Sequence, residues 1–197
     1  MKLATHNSLS YSGLKNWWLY PFYWVGLCQT KSLEKQYSLG VKLFDIRLNS
    51  RIDSKIETSH GPLIFKKDTE EALNFLNEKG DVWVRIILEQ NGEKKDQEIR
   101  DQKFREKCEY LENKYTKIKF CNGRRKYDWK ELYEFKQPEP KLLELYSSTT
   151  SLFKNDSKFL RKIDDLCPFL YAFLNNKRIL KDNLDKDTHD FLMIDFL

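Results

Sequence analysis

The chain has 197 residues, 40% of them hydrophobic and 14% aromatic, and carries a net charge of +5. That length predicts one domain, residues 1–197, able to bury a core without disulfides or metals, and 7 glycines and 5 prolines exclude a long disordered segment. The positive charge forms no dense basic stripe, so a nucleic-acid partner is not expected, while a modest excess suits an anionic lipid surface.

Taken in chain order, strand-like and helix-like runs alternate. Residues 2–5 make a short apolar start. VKLFDIRL (41–48) alternates between Gly40 and Asn49 and predicts a strand; 56–59 predicts a weaker one. DTEEALNFLNEK (68–79) predicts a helix with Leu73, Phe75 and Leu76 on one face and Gly80 as its stop. VWVRIILE (82–89) is β-branched and apolar, hence a buried strand. Residues 95–115 predict a charged helix with a thin apolar stripe. Strands follow at 118–121 and 142–146, then a helix over 158–180 broken near Pro168, and a last strand, FLMIDF, at 191–196. Seven strands alternating with helices predict an α/β domain with a parallel sheet. A small, distorted (β/α)8 TIM barrel follows if an eighth strand lies near 147–153.

The cysteines, Cys28, Cys108, Cys121 and Cys167, include no C-x-x-C pair, and only three histidines occur, so a structural zinc site is not expected. Scattered cysteines read as reduced thiols, which predicts a cytoplasmic protein. The N-terminal residues lack a signal peptide's apolar region, and no run of about 18 apolar residues predicts a membrane span.

Polar residues cluster where the predicted strands end, which in a parallel barrel is where active sites are built. His6 and Asn7 follow the first strand, Asp45 and Arg47 share one face of the second, and His60 follows the third. Glu89 ends the fourth and Asp195 lies in the last. Each has a plainer reading: a surface histidine, a solvated glutamate, a structural Asp-x-Arg ion pair. Together, two histidines and an arginine are what phosphodiester cleavage requires. One imidazole takes a proton, the other gives one, and the guanidinium grips the phosphate.

Four runs, ATHNSLSY (4–11), GVKLFDIRLN (40–49), SHGPL (59–63) and VRIILEQN (84–91), resemble the catalytic X region of phosphatidylinositol-specific phospholipases C in order and rough spacing. The resemblance is strong over 1–91 and weak beyond, except at MIDF near the C-terminus. It implies a distorted (β/α)8 barrel with His6 as general base on the inositol 2-hydroxyl and His60 as general acid. It implies Asp45 as an orienting carboxylate, and a cyclic inositol phosphate as product. Arg47 stands where metal-independent bacterial members carry an arginine and eukaryotic members an acidic calcium ligand. Asn7 and Glu89 match the eukaryotic calcium ligands. No cofactor is therefore expected, with Ca2+ on Asn7, Asp45 and Glu89 as the alternative.

By the same resemblance Glu144 and Tyr146 stand for the Asp-x-Tyr that reads inositol. Arg124 or Arg125 stands for an inositol-binding arginine, unless they form only a surface turn. Asp195 either orients the base histidine, as a triad carboxylate does, or is structural. WWLYPFYW (17–24) contributes Trp17, Trp18, Tyr20, Phe22, Tyr23 and Trp24, either as a membrane-facing rim or as packing beneath barrel helices. The expected partners are a phosphoinositide or related phospholipid and a peripheral membrane surface, met by a monomer. Rival readings are a glycerophosphodiester phosphodiesterase, against which Asp45 and Arg47 replace the Glu-x-Asp metal pair, and a non-catalytic headgroup binder.

Overall fold

Strand β1 (Lys2–Thr5) opens the fold in the computed structural model, which describes residues 1–50, 56–89, 96–145, 168–185 and 188–197. Alternation in the second apolar run gives β2 (Val41–Asn49) two buried faces. Phe44, Ile46 and Leu48 enter the main core. Leu43 enters a second cluster with Ala4, Cys121, Phe191 and Met193, and Asp45 and Arg47 share its parity. Strand β5 (Val82–Leu88) behaves alike: Val82, Val84, Ile86 and Leu88 join the main core, and Trp83 packs on the second cluster. Short strands β3 (Glu57–His60) and β4 (Leu63–Ile64) intervene, and β6 (Ile118–Arg125), β7 (Glu131–Tyr133), β8 (Leu142–Glu144) and β9 (Phe191–Ile194) follow.

Five helices accompany the described strands: α1 (Tyr23–Gly26), α2 (Leu33–Ser38), α3 (Thr69–Lys79), α4 (Gln97–Lys114) and α5 (Pro168–Asn183). Gly80 ends α3 as expected, while Asp68, counted in the predicted helix, instead caps its start. The Asp68 carboxylate accepts the Glu70 and Glu71 N–H groups, at 2.8 and 3.3 Å, and Gly80 follows at φ 62°. Leu73 and Leu76 of α3 and Phe104, Cys108 and Leu111 of α4 cover the outer face of the sheet.

Among the described residues the sheet runs β7-β6-β5-β2-β1-β9-β8, a curled seven-strand half barrel. Every neighbour from β6 to β8 pairs in parallel, and only β7 is antiparallel in this path. The last strand lies beside the first, with Ala4 opposite Met193, which is how a barrel's chain ends meet. The fold class is the expected α/β, small and distorted.

The predicted strand at 56–59 forms, but it is not a stave of the barrel. It folds back antiparallel on the end of β2, with Leu48 opposite Thr58. Residues 50–56 are too few for the crossover of about a dozen residues that a parallel partner requires. The expected eighth strand near 147–153, Tyr146 and residues 158–167 of the predicted helix lie outside the described residues.

Phe104 is fully buried in the main core, whereas Tyr110 on the same helix is 44% exposed. Urea titration should therefore find Phe104→Ala less stable by about 3–5 kcal/mol, and Tyr110→Ala by less than about 1 kcal/mol.

Candidate active site

The end of β1 delivers His6 and Asn7 into the half barrel. Asn7 takes φ 43°, a left-handed conformation that asparagine tolerates. This turn aims its backbone N–H at Asp45 Oδ2, 3.0 Å away. His6 is buried, with Nδ1 2.7 Å from Asp195 Oδ1. A carboxylate accepts, so Nδ1 carries the proton and Nε2 the lone pair. Nε2 lies 3.9 Å from Asp45 Oδ2.

Asp45, Arg47 and Glu89 form a buried chain of charges. Arg47 Nε donates to Asp45 Oδ2 at 2.9 Å, and its Nη1 donates to Glu89 Oε1 at 2.5 Å. Lys126, in the turn after β6, reaches the same Glu89 oxygen at 2.7 Å. Glu89 Oε2 also accepts the Gly61 N–H at 3.2 Å. Burial pushes both carboxyls upward, but the neighbouring cations win: Arg47 and Arg85 hold Asp45 below its ordinary value, and Arg47 and Lys126 do so for Glu89. Calcium takes six to eight oxygen ligands. Here Asp45 and Glu89 already meet Arg47 and Lys126, whose charges cancel theirs, so the donor set does not fit that ion.

His60 ends β3 and faces His6 edge-on, with ring centroids 5.8 Å apart and an interplanar angle of 88°. Its Nδ1 lies 3.3 Å from the Gly26 carbonyl and 3.9 Å from Cys28 Sγ. A Cβ on Gly26 would stand 3.3 Å from that nitrogen and 2.3 Å from Leu63 Cδ1, so a larger residue there would displace the Leu63 side chain and press on His60. Burial, aided by the positive field of Arg47, lowers His60 to about 4 and His6 well below its ordinary value. Both rings are therefore neutral near pH 7.

A groove of about 440 Å³ opens beside His60, lined by Leu19, Phe22, Gly26, His60, Leu63 and Lys126 among others. Five rings of the aromatic run are exposed to solvent, Phe22 of the groove lining among them: Trp17 is 80% exposed, with Trp18, Tyr20, Phe22 and Trp24 at 42% or more. Tyr23 anchors the segment instead. Its hydroxyl donates to the Ser10 carbonyl at 2.5 Å and accepts the Gly13 N–H at 3.2 Å. Of the two readings of this run, only Tyr23 follows the packing one.

The remaining sequence candidates divide. Glu144 joins the interior through Arg85, whose Nη1 lies 3.0 Å from its carboxylate. Arg124 and Arg125 are not brought to the histidines. Arg125 is clamped by Asp101 at 2.5 Å and Asp128 at 2.6 Å, tying β6 to α4, and Arg124 pairs with Glu139 at 3.1 Å. The next residue, Lys126, is the one that reaches the site. Sequence reasoning also missed Arg85 and Cys28. Arg85 had a signal: a cation inside an apolar strand needs a carboxylate, and register places it opposite Asp45, its Nε 3.7 Å from Oδ1. Cys28 had none.

No protein-family model matches the chain, and no curated protein matches it in sequence. Solved structures do share its fold. The phosphatidylinositol-specific phospholipase C of Listeria monocytogenes superposes with a TM-score of 0.60 at 17% identity, over 100% of this chain and 88% of that one. A mutant of the Staphylococcus aureus enzyme gives 0.58 at 14% identity, over 98% and 84%. A second S. aureus structure, from work on modulating membrane binding, gives 0.58 at 16% identity, over 98% and 85%.

His60 has a depressed folded value, about 4 against an ordinary 6.5, so between these the unfolded chain binds the extra proton. Stability should be full above pH 6.5 and decline as pH falls toward 4. Urea midpoints across that window should show a shallower slope for His60→Gln; an unchanged slope would remove His60 as its source.

Proposed function

We propose that the protein is a phosphodiesterase that cleaves phosphatidylinositol-type lipids without a metal. The observation that supports this best is the pair of imidazoles, 5.8 Å apart at one end of a parallel half barrel, beside a buried guanidinium held by two carboxylates. The likeness in fold to bacterial phosphatidylinositol-specific phospholipases C suggests the substrate class.

In this reading His6 Nε2 takes the proton of the inositol 2-hydroxyl, and Asp195 on Nδ1 steadies the imidazolium that forms. The freed oxygen attacks phosphorus in line. The bond from phosphorus to the diacylglycerol oxygen breaks, and His60 gives that oxygen its proton. A cyclic inositol phosphate results, which water opens by the reverse exchange of protons. Arg47 meets the charge that grows on the phosphate, and Asp45 and Glu89 hold its fork in place. Lys126 supplies a second cation at the groove.

His60 must be charged to act as acid, yet the site holds it at about 4. The phosphodiester anion corrects this: a negative charge within about 4–6 Å favours the imidazolium. The acid is thus armed by its substrate, and kcat/KM, which reports the free enzyme, should peak on the acid side of neutrality. The five exposed rings would rest in the headgroup layer, bringing the groove to a lipid surface. No described helix is long and apolar enough to cross a membrane, so the association would be peripheral.

Phosphorus NMR of phosphatidylinositol vesicles should show the cyclic product appearing equally with EDTA and with calcium. His6→Ala and His60→Ala should each lower turnover by roughly 10²–10⁴-fold, and Arg47→Ala by roughly 10²–10³-fold. Silence in EDTA with revival by calcium would overturn the metal-independent reading. Vesicle binding without turnover of any diester would favour the headgroup binder.

Replacing Trp17 and Trp18 by alanine should abolish sedimentation with anionic vesicles while sparing hydrolysis of a soluble short-chain substrate. Both side chains are more than half exposed, so the melting temperature should barely move. A large drop would show instead that the rings are core.

A further inference from the structure

Cys28 plays no part in the chemistry above, yet it sits between the two histidines that do. His6, Cys28 and His60 each offer one ligand atom, and the three atoms lie within 4.8 Å of one another. Cys28 is held rigidly. Its N–H donates to Ser10 Oγ at 3.0 Å, its carbonyl accepts the Phe196 N–H at 2.8 Å, and the Gln29 side chain ties the same loop to the His6 carbonyl at 3.2 Å. His6 shows a recurrent feature of a metal-binding imidazole: one ring nitrogen, Nδ1, is engaged by a carboxylate, Asp195, 2.7 Å away.

We propose that His6, Cys28 and His60 form an inhibitory zinc site. Zinc prefers this mixture of thiolate and imidazole, at about 2.3 Å from sulfur and about 2.0–2.1 Å from nitrogen. Around a tetrahedral ion those lengths set ligand atoms about 3.3–3.6 Å apart. Cys28 Sγ and His60 Nδ1 already stand 3.9 Å apart. The cluster has to contract by less than about 1.5 Å, and the contacts that His60 Nδ1 and Cys28 Sγ make with the Gly26 carbonyl, and the bond of the thiol to Asp195, have to give way. On binding, the thiol proton passes to solvent. The thiolate, with the Asp195 carboxylate behind His6, balances the ion's two positive charges against the nearby field of Arg47. The fourth position is left to water or a phosphate oxygen. With both imidazole lone pairs on the metal, neither ring can move a proton. The binding stands on geometry alone, whereas the inhibition rests on the phosphodiesterase reading.

The test uses the full chain with Co2+ as a spectroscopic stand-in for Zn2+. One equivalent of Co2+ should produce tetrahedral visible bands and a near-ultraviolet thiolate-to-cobalt charge-transfer band, and Zn2+ should displace it. Cys28→Ala and Cys28→Ser should both lose the charge-transfer band. X-ray absorption of the wild-type zinc complex should find one sulfur neighbour, a measurement that stands even if a variant folds poorly. Free zinc at about ten times its dissociation constant should lower wild-type turnover about 10-fold but that of Cys28→Ala less than about 2-fold. A charge-transfer band retained in correctly folded Cys28 variants, or a zinc shell with no sulfur, would overturn the site. Loss of the band in those variants, with no diester cleaved by any form, would leave the zinc site standing and remove the phosphodiesterase reading.

Discussion

The buried guanidinium of Arg47 is the interaction on which the remainder of the site depends. It bonds Asp45 on its own strand and Glu89 at the end of β5, and through Asp45 it reaches the turn after β1. Three consecutive staves are thus locked at the same end. Burying an ion costs several kcal/mol even after relaxation, and only complete pairing offsets it. Here the pairing is dense. Glu89 also accepts from Gly61 and Lys126, and Asp45 faces Arg85 as well. The network adds little net stability over an apolar core, but it leaves each side chain one low-energy position.

The same network sets the proton affinity of the two histidines. Burial already disfavours imidazolium, and Arg47 adds to that in both rings. In the proposed reaction a neutral His6 would be ready to act as base, and a neutral His60 would await a negative partner. An arrangement with more carboxylates near His60 would charge it in advance, but would also repel a phosphodiester. In the proposed reaction, the buried Arg47 and the groove's Lys126 would reconcile attraction of the anion with acid catalysis after it arrives.

Neutral imidazoles are also metal ligands, which is why Cys28 matters. The geometry that sets the two rings 5.8 Å apart also brings one nitrogen of each within 4.8 Å of the Cys28 thiol, which is the cluster proposed for zinc. Lining by Leu19, Phe22 and Leu63 makes one wall of the groove apolar, and Phe22 is also one of the exposed rings. Polar groups at the floor and apolar surface at the rim are what the proposed lipid substrate, with a charged head and apolar tails, would require.

The sequence by itself determined the elements whose cause is local. Period-two alternation made β2 a strand, a β-branched apolar run made β5 one, and the Gly80 stop ended α3. It also pointed to His6, Asp45, Arg47, His60, Glu89 and Asp195, because charged groups at the ends of apolar strands need partners. Tertiary structure alone decided who those partners are. Asp195 and His6 are 189 residues apart, and they meet because the last strand pairs with the first. Lys126 displaced its two arginine neighbours because each of them faces carboxylates of α4 or nearby turns. Seven residues between β2 and β3 converted an expected stave into an antiparallel arm, a matter of reach that composition does not encode. Cys28 carried no motif at all, since ligand spacing along the chain has meaning only when one element holds the ligands. Here two loops and the end of β3 do, and their convergence is a property of the tertiary fold.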